Sequence, residues 1–338
     1  MTDTQSKIRI QIVCDAGPSV GLGHLSRMIF LGNKLNKKQL FDCSLAVLSS
    51  TDVVRHQLNQ IHHQFYRGSL SEAVENVMQQ DRFDVLIFDL SLERLNEVNP
   101  SLFENVRKQN IHQIGIDNLL RFSEFTDFTL VPAFRINSQF NQYINPKVKW
   151  GWNSYLLPLP EQVYPTHNNK LLVLTGSSDI AGLGQVLPTL MNTILADEIE
   201  INWVQGPMAK APVVPDNPKH QWKIHVSPNG LESLMRECGY GISVYGVSLF
   251  ELLSFQVPSV TLSPYCGKDD EDMQALEDAG IALYGSSAEH AVQRLNQLIS
   301  APELFKSLQH SCAGLMKHTG VEMIAEFVLK NSLIQNRT

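Results

Sequence analysis

The chain has 338 residues, 43% of them hydrophobic and 18% charged, and a net charge of −7. This is globular composition with length enough for two domains, and the acidic balance, with basic residues scattered, argues against a nucleic-acid partner. No apolar run approaches the roughly 20 residues of a membrane helix, and the polar start lacks a signal-peptide core, so a cytoplasmic protein with no membrane span is expected. Five cysteines without a C-x-x-C and 11 histidines without H-x-x-x-H or H-E-x-x-H point away from a disulfide framework and from a metal site.

Strand-like and helix-like runs alternate from the start. The first half reads as strands at 8–13, 43–48, 63–66, 85–89, 113–117 and 128–131, with helical patterns near 24–36, 52–60, 70–80 and 93–109. Short buried strands with helical crossovers predict a parallel sheet covered on both faces. Between the first strand and the first helix lies Asp15-Ala-Gly-Pro-Ser-Val-Gly21-Leu-Gly23-His24-Leu-Ser-Arg27. It is neither a dinucleotide fingerprint, lacking the third glycine, nor a Walker loop, lacking G-K-[ST]. Its glycines allow close backbone approach to a ligand, and the helix N-terminus offers free N–H groups to an anion. A histidine there can move a proton beside a bound phosphate or sugar; the alternative is a tight strand-to-helix connection.

From about 132 to 168 the alternation breaks at Pro132, Pro146, Pro158, Pro160 and Pro165, which reads as a linker. The expected division is an N-terminal domain over 1–145, a linker over 146–168 and a C-terminal domain over 169–338. In the second half, strands are expected at 171–174, 199–205, 222–226, 241–244, 259–262 and 281–284. Helices are expected up to about 196 and at 229–237, 248–255, 270–279, 287–299, 302–316 and 320–333. The fold class is therefore α/β, with two doubly wound, Rossmann-like domains and ligand binding expected in a cleft between them.

Two further segments carry chemistry. Gly176-Ser177-Ser178-Asp179 follows a strand and opens a helix, so its N–H groups and hydroxyls suit a diphosphate, while Ser178 or Asp179 also suits a helix N-cap. In Gly246-Val-Ser248-Leu-Phe-Glu251, with Pro258 before the next strand, Ser248 and Glu251 have the spacing of a capping box. The functional reading gives Glu251 the two ribose hydroxyls of a nucleotide and the helix N-terminus its phosphate.

The G-x-S-x-x-E…P pattern resembles that of GT-B nucleotide-sugar enzymes, in which the glutamate binds ribose. More closely, the chain resembles the UDP-2,4-diacetamido-2,4,6-trideoxy-β-L-altropyranose hydrolase family of pseudaminic acid biosynthesis and its spore-coat polysaccharide relatives. The family's D-x-x-x-x-x-G-x-G-H is matched by Asp15, Gly21, Gly23 and His24. Its strand ending in Asp is matched by Asp89, its D-D/N pair by Asp117-Asn118, its G-x-x-Y segment by Gly151-Trp-Asn-Ser-Tyr155, and its G-G-T/S-D by Gly176-Ser177-Ser178-Asp179. The matches span roughly residues 8–285 in the family's order. Departures are Val13 for the usual Arg, Ser177 for the second glycine, Asp89-Leu90-Ser91 for Asp-His-Tyr, and Lys268-Asp269-Asp270 for Asn-Gln-Glu. They leave the UDP half of the pattern more complete than the sugar half.

The resemblance implies a UDP-sugar substrate, hydrolysed at the anomeric carbon without a cofactor or metal. It makes His24 the general base on water, with Asp15 holding the loop or orienting His24. The helix N-termini after Gly23 and Gly176 would stabilise the diphosphate, and Glu251 would fix the ribose. Gly21, Gly23, Asp89, Asp117, Tyr155, Gly176, Ser177, Ser178, Gly246, Ser248 and Lys268 complete the expected binding residues, Asp89 and Asp117 facing the sugar and Lys268 a phosphate or sugar carboxylate. A glycosyltransferase, in which an acceptor hydroxyl replaces water, and a nucleotide-sugar-binding protein without turnover are the alternatives.

Overall fold

The computed structural model describes residues 7–17, 20–49, 61–164, 166–265 and 267–335, with 332–335 described as backbone alone. The helix expected near 52–60 and Pro165 of the expected linker lie outside the described residues. Two compact units emerge: Met1–Pro158 with Lys317–Thr338, and Leu159–Met316.

The first unit is built on β1 (Ile8–Asp15), α1 (Gly23–Lys37), β2 (Phe41–Leu48), β3 (His63–Tyr66), α2 (Leu70–Gln80), β4 (Val85–Asp89), α3 (Leu92–Asn96), α4 (Ser101–Arg107), β5 (His112–Ile116), β6 (Phe128–Leu130) and β7 (Val148–Lys149). Its strands form one parallel sheet in the order β3-β2-β1-β4-β5-β6-β7. Both faces are covered, so β4 is buried at every position, as a central parallel strand requires. One face packs Val13, Ala46, Leu86 and Phe88 against Leu70, Val74, Val77 and Phe103. Leu25, Met28, Leu31 and Leu35 of α1, spaced by three and four residues, are fully buried.

The single helix expected over 93–109 is two. Ser91 caps α3 through Arg94 N–H, and Pro100, which lacks a donor and restricts the residue before it, separates α3 from α4. The stretch expected as linker belongs largely to the first unit: β7 extends the sheet beside β6, and Val131 and Val148 are buried with Leu120.

The second unit contains β8 (Lys170–Leu174), α5 (Leu183–Ile194), β9 (Glu200–Gln205), β10 (Gln221–Val226), α6 (Glu232–Glu237), β11 (Tyr240–Val244), α7 (Val247–Ser254), β12 (Ser259–Leu262), α8 (Asp270–Asp278), β13 (Leu283–Gly285), α9 (Ala288–Ser300) and α10 (Pro302–Cys312). Its parallel sheet runs β10-β9-β8-β11-β12-β13. Leu171, Val173, Ile201, Trp203 and Ile242 pack against Leu187, Met191, Leu295 and Phe305.

The last helix, α11 (Gly320–Gln335), follows the second unit in the chain and packs in the first, against α1, β6 and the turn Trp152–Ser154. Val321, Ile324, Ala325 and Val328 form its buried stripe, and Phe327 stacks on Phe128 with ring centroids 5.1 Å apart. A side chain at position 320 would strike the Ser154 carbonyl oxygen, 2.5 Å from where its Cβ would lie, so only glycine lets the helix start this close. No helix among the described residues is long and apolar enough to cross a membrane.

Ile324 is fully buried. Ile324→Ala is expected to destabilise the first unit by about 3 kcal/mol, the usual cost of emptying such a site, measured by urea unfolding.

Candidate active site

In each sheet the strand order reverses at one place, and ligands in open α/β sheets bind at the carboxyl ends of the strands there. In the first unit this is the β1/β4 pair, where Cys14 stands beside Asp89. In the second it is β8/β11, where Leu174 stands beside Ser243. The histidine loop follows β1, and the Gly176 and Gly246 loops follow β8 and β11.

The histidine loop is pinned at both ends. Asp15 is 1% exposed, and its carboxylate accepts from Ser91 N–H and Oγ–H, both at 2.9 Å, and from Arg94 Nε at 3.0 Å. Asp15 therefore holds α3 to the end of β1; the histidine is oriented by another residue. Between the ends, Gly17 and Gly21 pair as an antiparallel bridge, and Gly21 has φ +78°, a left-handed value that glycine adopts without cost. A cavity of about 190 Å³, lined by Asp15, Gly17, Val20, Ser91 and Arg94, lies against this loop. A larger groove of about 460 Å³ opens at the opposite, amino ends of β1 and β2, around Arg9 and Asp42.

α1 begins at Gly23 with no side-chain cap, so its first N–H groups are open to an anion. His24 and Arg27, one turn apart, both reach Asp89. Arg27 Nε and Nη2 each lie 2.5 Å from an Asp89 oxygen, forming a two-pronged pair, and His24 Nδ1 lies 2.7 Å from Asp89 Oδ1. Arg27 Nη2 also donates to Asp117 Oδ2 at 2.8 Å. Burial alone would raise the Asp89 pKa, but Arg27 and His24 outweigh it and hold the carboxyl at about 2. Burial likewise opposes the Arg27 charge, and Asp89 and Asp117 more than offset it, raising its pKa further above the physiological range.

Asp89, expected to face the sugar, is fully buried with both oxygens engaged, and it holds His24 and Arg27. Asp117 fits the sugar-facing expectation better: its side chain is 36% exposed and only one oxygen is taken by Arg27. Its φ of +58° is tolerated by aspartate. His24 Nε2 has no protein partner among the described residues. Tyr155, expected to bind substrate, is 4% exposed; its hydroxyl accepts from Phe134 N–H at 3.1 Å and its carbonyl from Gly320 N–H at 3.0 Å, so it braces the α11 docking site.

In the second unit the Gly176 loop meets one of its two expected readings, that of a cap. The helix after it, α5, starts at Leu183, and the Asp179 carboxylate accepts from Leu183 N–H at 2.9 Å and Gly184 N–H at 2.8 Å. Asp179 is thus the cap, and these donors are closed to a phosphate. The Ser177 and Ser178 hydroxyls have no protein partner among the described residues. α7 is the reverse case. Its N-cap is Gly246, φ +154°, with no side-chain cap. Ser248 sits inside the helix, so the capping box expected with Glu251 does not form. The Glu251 carboxyl has no partner among the described residues, and burial pushes its pKa up to about 7. Lys268 is exposed and lies over the Tyr265 ring at 5.2 Å, a solvated position rather than a built anion site.

Sequence reasoning missed Arg27, Ser91 and Arg94. For Arg27 there was a signal: a cation inside the apolar stripe of a helix must be buried, and a buried cation needs carboxylate partners.

No protein-family model matches the chain, and no curated protein matches it in sequence. Solved structures do match in shape. They include the glycotransferase of kitacinnamycin (12% identity, TM-score 0.66, covering 96% of this chain and 99% of that one). Another is MurG of Acinetobacter baumannii (14%, 0.63, 95% and 99%). UDP-GlcNAc 2-epimerase from Neisseria meningitidis bound to UDP-GlcNAc also matches (13%, 0.61, 96% and 100%). With its two parallel-sheet, Rossmann-like units, the chain has the GT-B fold, shared with glycosyltransferases and with that epimerase.

Asp89→Asn leaves a buried guanidinium short of its counter-ion and is expected to cost about 3 kcal/mol at neutral pH. The Asp89 pKa is lowered on folding, so its contribution is complete above about pH 4 and fades as pH falls toward 2. Urea unfolding of wild type and variant should therefore converge across that window.

Proposed function

We propose that the chain is a UDP-sugar hydrolase that releases UDP and a free amino-deoxy sugar. The observation that carries this reading is the His24–Asp89 pair at the β1/β4 switch point, with Nδ1 directed at a buried carboxylate and Nε2 unpartnered among the described residues. Water attacks the anomeric carbon and passes a proton to His24 Nε2. The bond from that carbon to the diphosphate oxygen breaks, its electron pair leaving on UDP. Asp89, held ionised, stabilises the imidazolium that forms. The free oxygen of Asp117 accepts from a sugar hydroxyl or amide.

The second unit holds the nucleotide. Glu251, ionised, accepts from the two ribose hydroxyls, and the uncapped start of α7 with the Ser177, Ser178 and Ser248 hydroxyls takes the diphosphate. Nucleotide binding is thereby used for orientation. The motif resemblance supports a diacetamido-trideoxy sugar of pseudaminic-type nonulosonic acid or surface-polysaccharide biosynthesis as the glycosyl group. The glycosyltransferases among the structural neighbours support a second reading, in which an acceptor hydroxyl replaces water.

NMR of the protein with UDP-2,4-diacetamido-2,4,6-trideoxy-β-L-altropyranose, without acceptor, is expected to show free sugar and UDP from wild type and none from His24→Ala. Release that needs an added acceptor establishes the transferase, and UDP binding with no turnover of any donor overturns both. Glu251→Gln is expected to weaken UDP binding about tenfold or more, as for a lost charged hydrogen bond. Because the raised Glu251 carboxyl takes up a proton below about pH 7, wild-type affinity for UDP should fall as pH drops through that value, by calorimetry.

A further inference from the structure

The second sheet ends on a strand without a cover. β10 is its outer strand, and among the described residues nothing pairs with its free side. Between β9 and β10 the chain forms no helix over residues 206–220. It runs as a loop beside α5, where Val213 N–H donates to the Gly184 carbonyl and Lys219 N–H to Asn192. Trp222, Ile224 and Val226 stand beside Ile201, Trp203 and Gln205, so they share the face on which Ile201 and Trp203 pack under α5. With no crossover helix beyond α5, Ile224 is left 39% and Val226 65% exposed, and Val213 of the loop and Val186 of α5 are exposed beside them.

The backbone dictates what can complete this edge. Gln221 N–H and Ser227 N–H donate to β9, to the carbonyls of Ile199 and Gln205, and in a parallel ladder the donors and acceptors of alternate residues turn the same way. Those of Trp222, Ile224 and Val226 therefore point outward. The open stretch is bounded on both sides: the preceding outward position is His220, which is buried, and the following one is Pro228, which has no N–H. Three open residues centred on Ile224 are complementary to their own reverse. In an antiparallel pairing of Ile224 with Ile224, Trp222 falls opposite Val226, and the residues of each such pair exchange two backbone bonds. Apolar side chains then meet apolar ones on the α5 face. Lys223, the kind of residue that guards an edge strand, lies on the other face, where Glu200 holds it at 2.7 Å. There it falls opposite His225 of the other copy, whose Nε2 is 3.0 Å from Asn202 Oδ1 within its own sheet.

We propose that β10 is the interface between two copies of this chain, paired antiparallel about a two-fold axis through Ile224 so that the two second-unit sheets become one. A second copy is the occupant because the open stretch matches itself in backbone pattern, in length and in the polarity of both faces. β9 and β8 stand between this edge and the β8/β11 switch point, so the pairing holds or fails independently of the nucleotide reading.

Light scattering of the full chain eluting from a sizing column at tens of micromolar is expected to give twice the mass of one chain. Ile224→Lys sets two like charges on the axis, while its aliphatic stem keeps the packing that Ile224 makes within the chain; it is expected to elute at the mass of one chain with a wild-type circular dichroism spectrum. Ile224→Pro removes the central outward N–H, which no bond inside the chain uses, and edge strands tolerate proline there; it should also be monomeric. The register is read by oxidative cross-linking against wild type. Ile224→Cys, facing itself across the axis at about 5.5 Å between Cα atoms, should give a disulfide-linked dimer, and Val226→Cys, facing Trp222, should not. A wild type with the mass of one chain, a dimer that persists in the lysine and proline variants, or cross-linking at Val226 rather than Ile224 overturns the proposal.

Discussion

The buried pair of Arg27 with Asp89 is the constraint on which the rest of the first unit's site depends. It ties the opening turn of α1 to the end of β4, at the one place in the sheet where the strand order turns back on itself. An ion pair this deep contributes modest net stability when intact and costs several kcal/mol when one partner is removed. Its value is geometric. With α1 fixed at Arg27 and the end of β1 fixed through Asp15, the glycine loop between them can be irregular without losing its place.

The helix starts that follow the glycine loops are treated in two opposite ways. α5 is closed by a carboxylate of its own loop, while α1 and α7 open without a side-chain cap. Glu251 adds to the contrast: a partly buried carboxyl, unsupported by a protein donor among the described residues, and displaced to about 7 by burial. Groups left unsatisfied by the fold itself are where a ligand's own donors add most.

Much of the architecture was legible because a parallel sheet declares itself in short apolar runs. β3 and β4 fall where the alternation puts them, and the loops of Gly23 and Gly246 join strand to helix as the sequence suggests. What was hidden depends on distance along the chain. Arg27 and Asp89 are 62 residues apart, so the sequence displays each without its partner, and Asp89 reads as a sugar ligand instead of a support for His24. Ser248 and Glu251 have capping-box spacing, but the helix starts one residue before Ser248 and the box cannot close. Tyr155 lies in a motif-like segment, yet its hydroxyl serves Phe134. α11 has an ordinary apolar stripe, and nothing local says which sheet it covers.

The docking of α11 has a consequence for the order in which the chain becomes structured. Residues 159–316 form a long excursion whose two ends are stitched together, Gly320 N–H to the Tyr155 carbonyl and the N–H groups of Lys317 and His318 to Asn153. Closing so long a loop costs only slightly more entropy than closing a short one, and less still once the second unit has folded and shortened the gap. During synthesis, however, Phe128 and the β6 face wait for a helix that leaves the ribosome after the whole second unit. The first unit is therefore the first to begin and the last to be completed, and its exposed apolar face in that interval is where premature association would start.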